Sequence, residues 1–415
     1  MTINSDLLKK FGNQIANLKG WEVMPLENVL KLITYGLTVR PKYHPQGIPL
    51  VSATQIRNGV VDLDSAPRIS VDDYEKLSDK CKARPGDILF AKTGAIGHCA
   101  ICHSEEKVAL AQNVARLVFD ETLIEAKFAL RYLRTPFIQD LAKRSAKGNA
   151  VQDLQLGEIR KFPIPIPPLE EQRRIAAILD KADAVRRKRK EAIALTEELL
   201  RSAFLEMFGD PVENPKGWEI ITLGNLLLGI ESGWSPECDS REAQAEEWGI
   251  LKLGSVTWGH FNASENKALL PSTTPRPELE VKLGDLLFSR KNTYEHVGAS
   301  VFVHTTRAKL MLPDLIFRFR LTDVVDPVYV WQSLSQKTMR IKLSRLASGS
   351  AGSMPNISKA RLRTLPLPIP PLEIQSKYRE IVNQFWKKQG HQKASLLSTD
   401  DLFSSLLQRA FRGEL

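Results

Sequence analysis

Short apolar runs of strand length alternate along the chain with stretches at helical spacing, and the whole succession is run through twice. In the first half GDILFAK (86–92) and VARLVFD (114–120), and in the second GDLLFSR (284–290) and LIFRFRL (315–321), are bounded by Gly, Pro or charged residues and read as strands. Residues 121–146, with a break at Pro136, and their match at 324–347 carry apolar positions at helical spacing. Two further segments differ in kind. Residues 169–208 contain no Pro or Gly and predict one helix about 60 Å long at 1.5 Å per residue. Its seam runs through Ile175, Ile178, Ala182, Val185, Ala192, Leu199 and Ala203, interrupted by Arg189 and Thr196. Residues 372–412 offer Ile374, Ile381, Phe385, Leu396, Leu397, Leu402, Leu406 and Phe411, with QGHQ (389–392) and LSTDD (397–401) expected to interrupt the helix. Neither stripe can stay exposed, so the two helices are expected to pair through Ile175, Ile178, Val185 and Leu199 on one side and Ile374, Ile381, Phe385 and Leu406 on the other.

The repetition extends to whole motifs. IPPLEEQ (166–172) returns as IPPLEIQ (369–375), GWEVMPLENVL (20–30) as GWEIITLGNLL (217–227), and LLRSAFLEMFG (199–209) as LLQRAFRGEL (406–415), in the same order, with offsets that creep from 197 to 207. A period near 200 residues is too long for a solenoid and means two copies of one module, each a globular part followed by a helix. Pro168 and Pro371 suit a first helical turn, where the missing amide costs little, and Glu170, Glu171 and Glu373 favour the positive helix end.

With 415 residues, 43% of them hydrophobic, the chain can bury more than one core. Its 58 Lys and Arg against 48 Asp and Glu, a net charge of +10, favour an anionic partner such as nucleic acid. The start MTINSDLLKK lacks the apolar core of a signal peptide and no apolar run reaches the length of a membrane span, so the expected location is the cytoplasm. Cys99 and Cys102 in GHCAICH have no second ligand pair at zinc spacing, and the matching stretch GASVFVH drops both thiols; a buried strand is the better reading, and no metal is expected.

Taken together, PIPIPPLEEQRRIAAILDKAD and PLPIPPLEIQSKYREIV, each closing a globular region that contains GDILF or GDLLF and each leading to a terminal AF, resemble the specificity subunit of type I restriction-modification systems over essentially the whole chain. The resemblance implies an α+β architecture: two mixed target recognition domains (1–165 and 211–366), a central conserved helix (166–210) and a distal one (367–415), the helices forming an antiparallel coiled coil. It implies that the motif stands twice because two DNA readers, one per half of a bipartite asymmetric target, are mounted on one spacer. It also implies two methyltransferase subunits and separate restriction, translocating subunits as partners, with S-adenosylmethionine, ATP and Mg on those partners and no cofactor on this chain.

Candidate DNA-contacting residues come from polar loops, because Arg and Lys suit phosphates and guanine while Asn and Gln suit adenine edges. In the first copy they are Thr38, Arg40, Lys42, Tyr43, Thr54, Gln55, Arg57, Asn58, Lys92, Thr93, Lys147, Asn149 and Gln152. In the second they are Trp234, Lys252, Ser255, Thr257, Arg290, Lys291, Asn292, Ser350 and Asn356. The loops of the two copies differ throughout, as two readers of different half-sites require; the bland alternative for any one residue is a solvated turn. RRKRK (186–190) points all round a helix axis and reads as a solvated surface.

The sequence contains no phosphate-binding P-loop, no glycine-rich cofactor fingerprint and no motif like those of adenine methyltransferases. Glu265-x-Lys267 lacks the upstream Pro-Asp of a nuclease signature. The expectation is a chain without catalysis of its own; the alternative is a DNA methyltransferase or nuclease with an unrecognised site.

Overall fold

The computed structural model describes residues 11, 17–39, 41–148, 151–349 and 354–415. The chain divides into two compact units, residues 1–189 with 395–415, and residues 190–394.

In the first unit, Glu22–Pro25 pairs antiparallel with Pro163–Ile166, so the proline motif brings the chain back to where the module began. A two-stranded ribbon leaves each strand a free edge, which is where proline is tolerated in a sheet. An antiparallel sheet follows in the order Leu30–Tyr35, Val114–Phe119, Ile88–Ala91, Cys99–Ile101. A second sheet runs Arg68–Ile69, Ile48–Val51, Val108–Leu110, Lys82–Ala83. The Ile88–Ala91 strand is apolar at every position because both its faces are covered. Ile88 and Phe90 join the core under the helices Ala126–Leu133 and Pro136–Ser145, while Leu89 joins the core shared with Val51 and Leu110 of the second sheet. Cys99 and Cys102 follow the same alternation into different cores, so the two thiols do not converge. Burial pushes the Cys99 thiol up to about 12.

The second unit repeats the plan. Glu219–Thr222 pairs with Pro366–Ile369, and the main sheet runs Leu227–Ser232, Ile316–Leu321, Leu286–Ser289, Ser300–Phe302 under the helices Pro327–Ser335 and Lys337–Leu346. In both units the smaller sheet is built round one parallel pair, Val108–Leu110 with Ile48–Val51 and Leu310–Met311 with Gly249–Leu251. The edges of that sheet differ in extent: Lys82–Ala83 in the first unit corresponds to a single bridge from Glu280 in the second, and Cys238–Asp239 in the second to a single bridge from His44 in the first.

The long helices are Leu169–Phe208 and Leu372–Phe411. In the first unit Ile175, Ala176 and Leu179 enter the module core together with Phe403, Leu407 and Ala410. The pairing is antiparallel: Arg174 donates to the Leu415 carbonyl, Arg186 faces Asp400, and Arg189 reaches the Ser395 carbonyl (2.6 Å) and the Thr399 hydroxyl. In the second unit Leu200, Phe204 and Phe208 pack with Tyr378 and Val382, and Gln389 bonds Glu197. Two expectations are corrected here. Val185, Leu199 and Ile381 are exposed, because Asp183, Leu200 and Val382 take the inward positions instead. The distal helix is also unbroken through QGHQ and LSTDD: one Gly390 costs a helix only about 1 kcal/mol, and Gln389 and Thr399 are held by the facing helix.

The repeated glutamine of the proline motif has a structural reason. Gln172 is fully buried; its amide oxygen accepts from the Glu125 N–H (2.8 Å) and its amide nitrogen donates to the Leu123 and Pro167 carbonyls. Gln375 does the same with the Asp326 N–H and the Pro370 carbonyl. Glu125 and Asp326 are the N-caps of the short helices, so each glutamine fastens the start of a long helix to the start of a module helix. Gln172→Ala is expected to destabilise the first unit by about 1–3 kcal/mol, the cost of orphaned buried polar groups. The exposed neighbour Glu170→Ala should stay within about 0.5 kcal/mol. Equilibrium denaturation of the full chain compares them.

Candidate nucleic-acid interface

The main sheet of each unit has one end where strand termini and loops meet. In the first unit Tyr35 faces Ala115 and Val114 faces Ala91, which puts the loops after Tyr35 and Ala91 side by side. Asn113 draws in the loop after Val51, accepting from the Ala53 N–H on its side chain and from the Lys92 N–H on its carbonyl. The segment after the Pro136–Ser145 helix closes the rim through backbone bonds between Lys147 and Asp153 and from Leu154 to Lys92. In the second unit Ser232 faces Phe317 and Ser289 faces Ile316, and the Ile357 N–H bonds the Arg290 carbonyl, so the corresponding loops meet at the same end.

The rim of the first unit exposes Thr38, Lys42, Tyr43, Thr54, Arg57, Asn58, Lys147 and Gln152. Other nominated residues are spent on the scaffold. Gln55 is buried in a capping box with Ser52. Lys92 is buried and its ammonium lies 2.5 Å from Asp153, which also accepts from the Thr93 hydroxyl. Burial pulls the Asp153 carboxyl up, but the bonds from Lys92 and Thr93 outweigh it and hold the group below its usual value. Lys92 and Thr93 are therefore withdrawn as direct DNA contacts. Asn58 (φ 54°) and Gly59 (φ 81°) form the tight turn between Ile56–Arg57 and Val60–Val61, which gives the Asn-Gly pair a conformational reason. Arg40, Asn149 and Ser350 lie outside the described residues.

In the second unit Ser255 is fully buried and donates to the Lys252 carbonyl. Asn292 is buried against Thr257 and Ser289. Both are corrected to structural roles. Trp234 is half-buried beneath Arg276, whose guanidinium sits 4.2 Å from the ring centre. Lys252, Thr257, Arg290, Lys291 and Asn356 are half-buried at the rim. Asn356 stands where the first unit has Asp153, bridging Ser348 and Lys291 as Asp153 bridges Lys147 and Thr93. The exchange of carboxylate for amide leaves the Arg290–Lys291 corner more positive than its counterpart. The loops also present Trp258 (66% exposed) and Tyr294 (62% exposed), which were not among the nominated residues. An aromatic inside a polar loop was the available signal. Such rings suit thymine methyl contacts and wedging between base steps.

Two buried ion pairs, one in each unit, answer to the module itself. Asp87 of GDILF pairs with Arg116 at 2.5 Å, and Asp285 of GDLLF pairs with Arg318 at 3.2 Å. Among the described residues there is no cluster of three or more His, Cys, Asp or Glu that could hold a metal ion, and no helix is long and apolar enough to cross a membrane.

The family profile described as type I restriction modification DNA specificity domain matches residues 18–195. The chain is 37% identical over 190 residues to the EcoEI type I restriction enzyme specificity subunit of Escherichia coli, an alignment that spans 45% of this chain and 32% of that protein. It is 26% identical over 430 residues to the EcoKI specificity subunit of Escherichia coli K12, covering 96% of this chain and 89% of that one. Its fold is similar to the crystal structure of the type I restriction-modification S subunit from M. genitalium, with a TM-score of 0.55 at 16% identity over 96% of this chain and 97% of the other.

Proposed function

The chain belongs to the family of type I restriction-modification specificity subunits, and on that premise we propose that it is a DNA-sequence-reading subunit, each module reading one half of a bipartite, asymmetric target. It carries no chemistry itself. It recruits two methyltransferase subunits and, with them, restriction and translocating subunits, and it works in the cytoplasm, where the chromosome is accessible. S-adenosylmethionine, ATP and Mg belong to those partners.

The observation that carries this reading is the contrast between scaffold and rim. The main sheets, the proline ribbons, the buried Asp–Arg pairs and the Gln fasteners recur in both units, whereas the loops at the equivalent rim differ in sequence. A common frame with different side chains at the same place is what two readers of different bases need, since direct readout depends on which donors and acceptors face the groove.

Incubating the purified chain with duplex DNA and S-adenosylmethionine, with and without the methyltransferase subunits, tests the assignment. Methyl transfer is expected only when the partners are present. Methylation by the chain alone would favour an active site of its own and overturn the proposal.

A further inference from the structure

Most deeply placed arginines of the chain have carboxylate partners. Arg116 is paired with Asp87, Arg131 with Asp180 and Asp183, and Arg318 with Asp285 and Glu231. Arg134 and Arg340 depart from this pattern. The Arg134 side chain makes no hydrogen bond or ion pair among the described residues; burial disfavours its charge and, although Asp183 favours it from a distance, draws its pKa down. Arg340 is likewise depressed by burial; its Nη2 donates only to the Glu295 carbonyl, and its buried Nη1 has no partner.

The two residues come from different positions of the repeat and arrive at the same place. Arg134 follows the Ala126–Leu133 helix, and its place in the second copy is held by Ser335. Arg340 lies in the Lys337–Leu346 helix, and its place in the first copy is held by Gln139. Gln139 donates to the Gly97 carbonyl, and Arg340 packs on Gly298, the residue that matches Gly97. In the first unit Arg134 and Gln139 line one cavity of about 350 Å³ with Arg57, Asn58, His98 and Cys99 and no carboxylate, while on its other side Arg134 borders a larger cavity whose wall includes Asp180 and Asp183. His98 directs Nδ1 to the Ile56 carbonyl at 3.2 Å. A glycine lies against each guanidinium: a Cβ on Gly59 (φ 81°) would stand 2.5 Å from Arg134 Nη1 in the first unit, and one on Gly298 (φ 78°) would stand 3.1 Å from Arg340 Nη1 in the second.

A half-buried guanidinium with no hydrogen-bonded carboxylate is costly, and each module carries one, reached by a different route, beside the matched glycines Gly97 and Gly298. The missing charge is then expected to come from outside. We infer that Arg134 and Arg340 are phosphate seats, each binding a phosphodiester of the duplex beside its module's reading loops. The inference rests on the DNA-reading assignment and adds to it a positioning role: these arginines fix where the backbone lies and carry no sequence information. Arg57, one face of the cavity and part of the reading rim, links the seat to the loops.

The test uses the full chain assembled with its methyltransferase subunits, with binding measured by fluorescence anisotropy on a cognate duplex and on an unrelated one across a salt series. Arg134→Gln and Arg340→Gln should each weaken binding roughly 10- to 100-fold, the range for a lost charged hydrogen bond. The loss should be by the same factor on both duplexes, and each change should flatten the slope of log affinity against log salt by about one, the double variant by about two. Arg134→Lys should restore the slope. Melting of the free chain should not fall in Arg134→Gln, because the charge removed has no hydrogen-bonded carboxylate there. An unchanged slope in both single variants would overturn the inference, as would a loss confined to the cognate duplex. A lowered melting point that Arg134→Lys restores without restoring the slope would assign the residue to the scaffold and also overturn it. Equal binding of both duplexes by the unmodified complex would instead sink the sequence-reading assignment, while the salt slopes would still report on the seats.

Discussion

Replacing Arg116 by alanine is expected to cost the first unit about 3–5 kcal/mol, because it leaves a charged group buried and unpaired. Arg116 stands in the central strand of the main sheet, its Nε donating to Asp87 at 2.5 Å and its Nη1 to the Asp79 carbonyl at 3.0 Å. Both side chains of the pair are about 5% exposed, so solvent does little to screen the loss. Asp87 also accepts from the Arg84 N–H and thereby shapes the turn that opens the GDILF strand. Against a total stability of about 5–15 kcal/mol, such a loss removes a large fraction of the folded population. Joint replacement of Arg116 by Met and Asp87 by Leu should recover much of it, since the desolvation cost disappears with the charges. Denaturant unfolding, read together with hydrogen exchange of the amides between residues 86 and 119, measures both effects. A loss below about 1 kcal/mol in Arg116→Ala would show that the pair does not hold the sheet.

The scaffold was largely legible in the sequence because its determinants are local or repeated. GDILF and GDLLF read as buried strands, Pro136 marked the end of one helix and the start of another, and the proline motifs marked where each module closes. The rim was less legible, because the fate of a polar side chain there depends on partners distant in sequence. Lys92 is claimed by Asp153, 61 residues on, and Asn292 by Thr257, 35 residues back. Arg134 was invisible as a candidate: nothing near it in sequence says that helix packing leaves it without a hydrogen-bonded carboxylate. The helix seam was misplaced for a related reason. Periodicity locates an apolar stripe, and a count of apolar residues skips Asp183, which sits inward paired with Arg131; Arg189, placed on the seam as an interruption, is held there by the facing helix. The search nominated Tyr43 and Trp234 but missed the exposed Trp258 and Tyr294, because which aromatic of a polar loop is left exposed depends on packing that the sequence does not display.

Independence of the two readers is the central claim, and exchange of one module addresses it directly. The scaffold contacts that a graft must preserve are known: the proline ribbon between Glu22–Pro25 and Pro163–Ile166, and the Gln172 fastener at the start of the long helix. A chimera carrying residues 18–166 from another member of the family keeps the second module, both long helices and the partner subunits as they are. The measurement is the methylated motif across the genome of cells expressing the chimera with its methyltransferase partners. One half of the target should change to that of the donor, with a discrimination of about 1–3 kcal/mol for each base reassigned, while the other half keeps its sequence. A chimera that methylates with both halves changed, or with neither changed, would contradict the assignment of one half-site to each module.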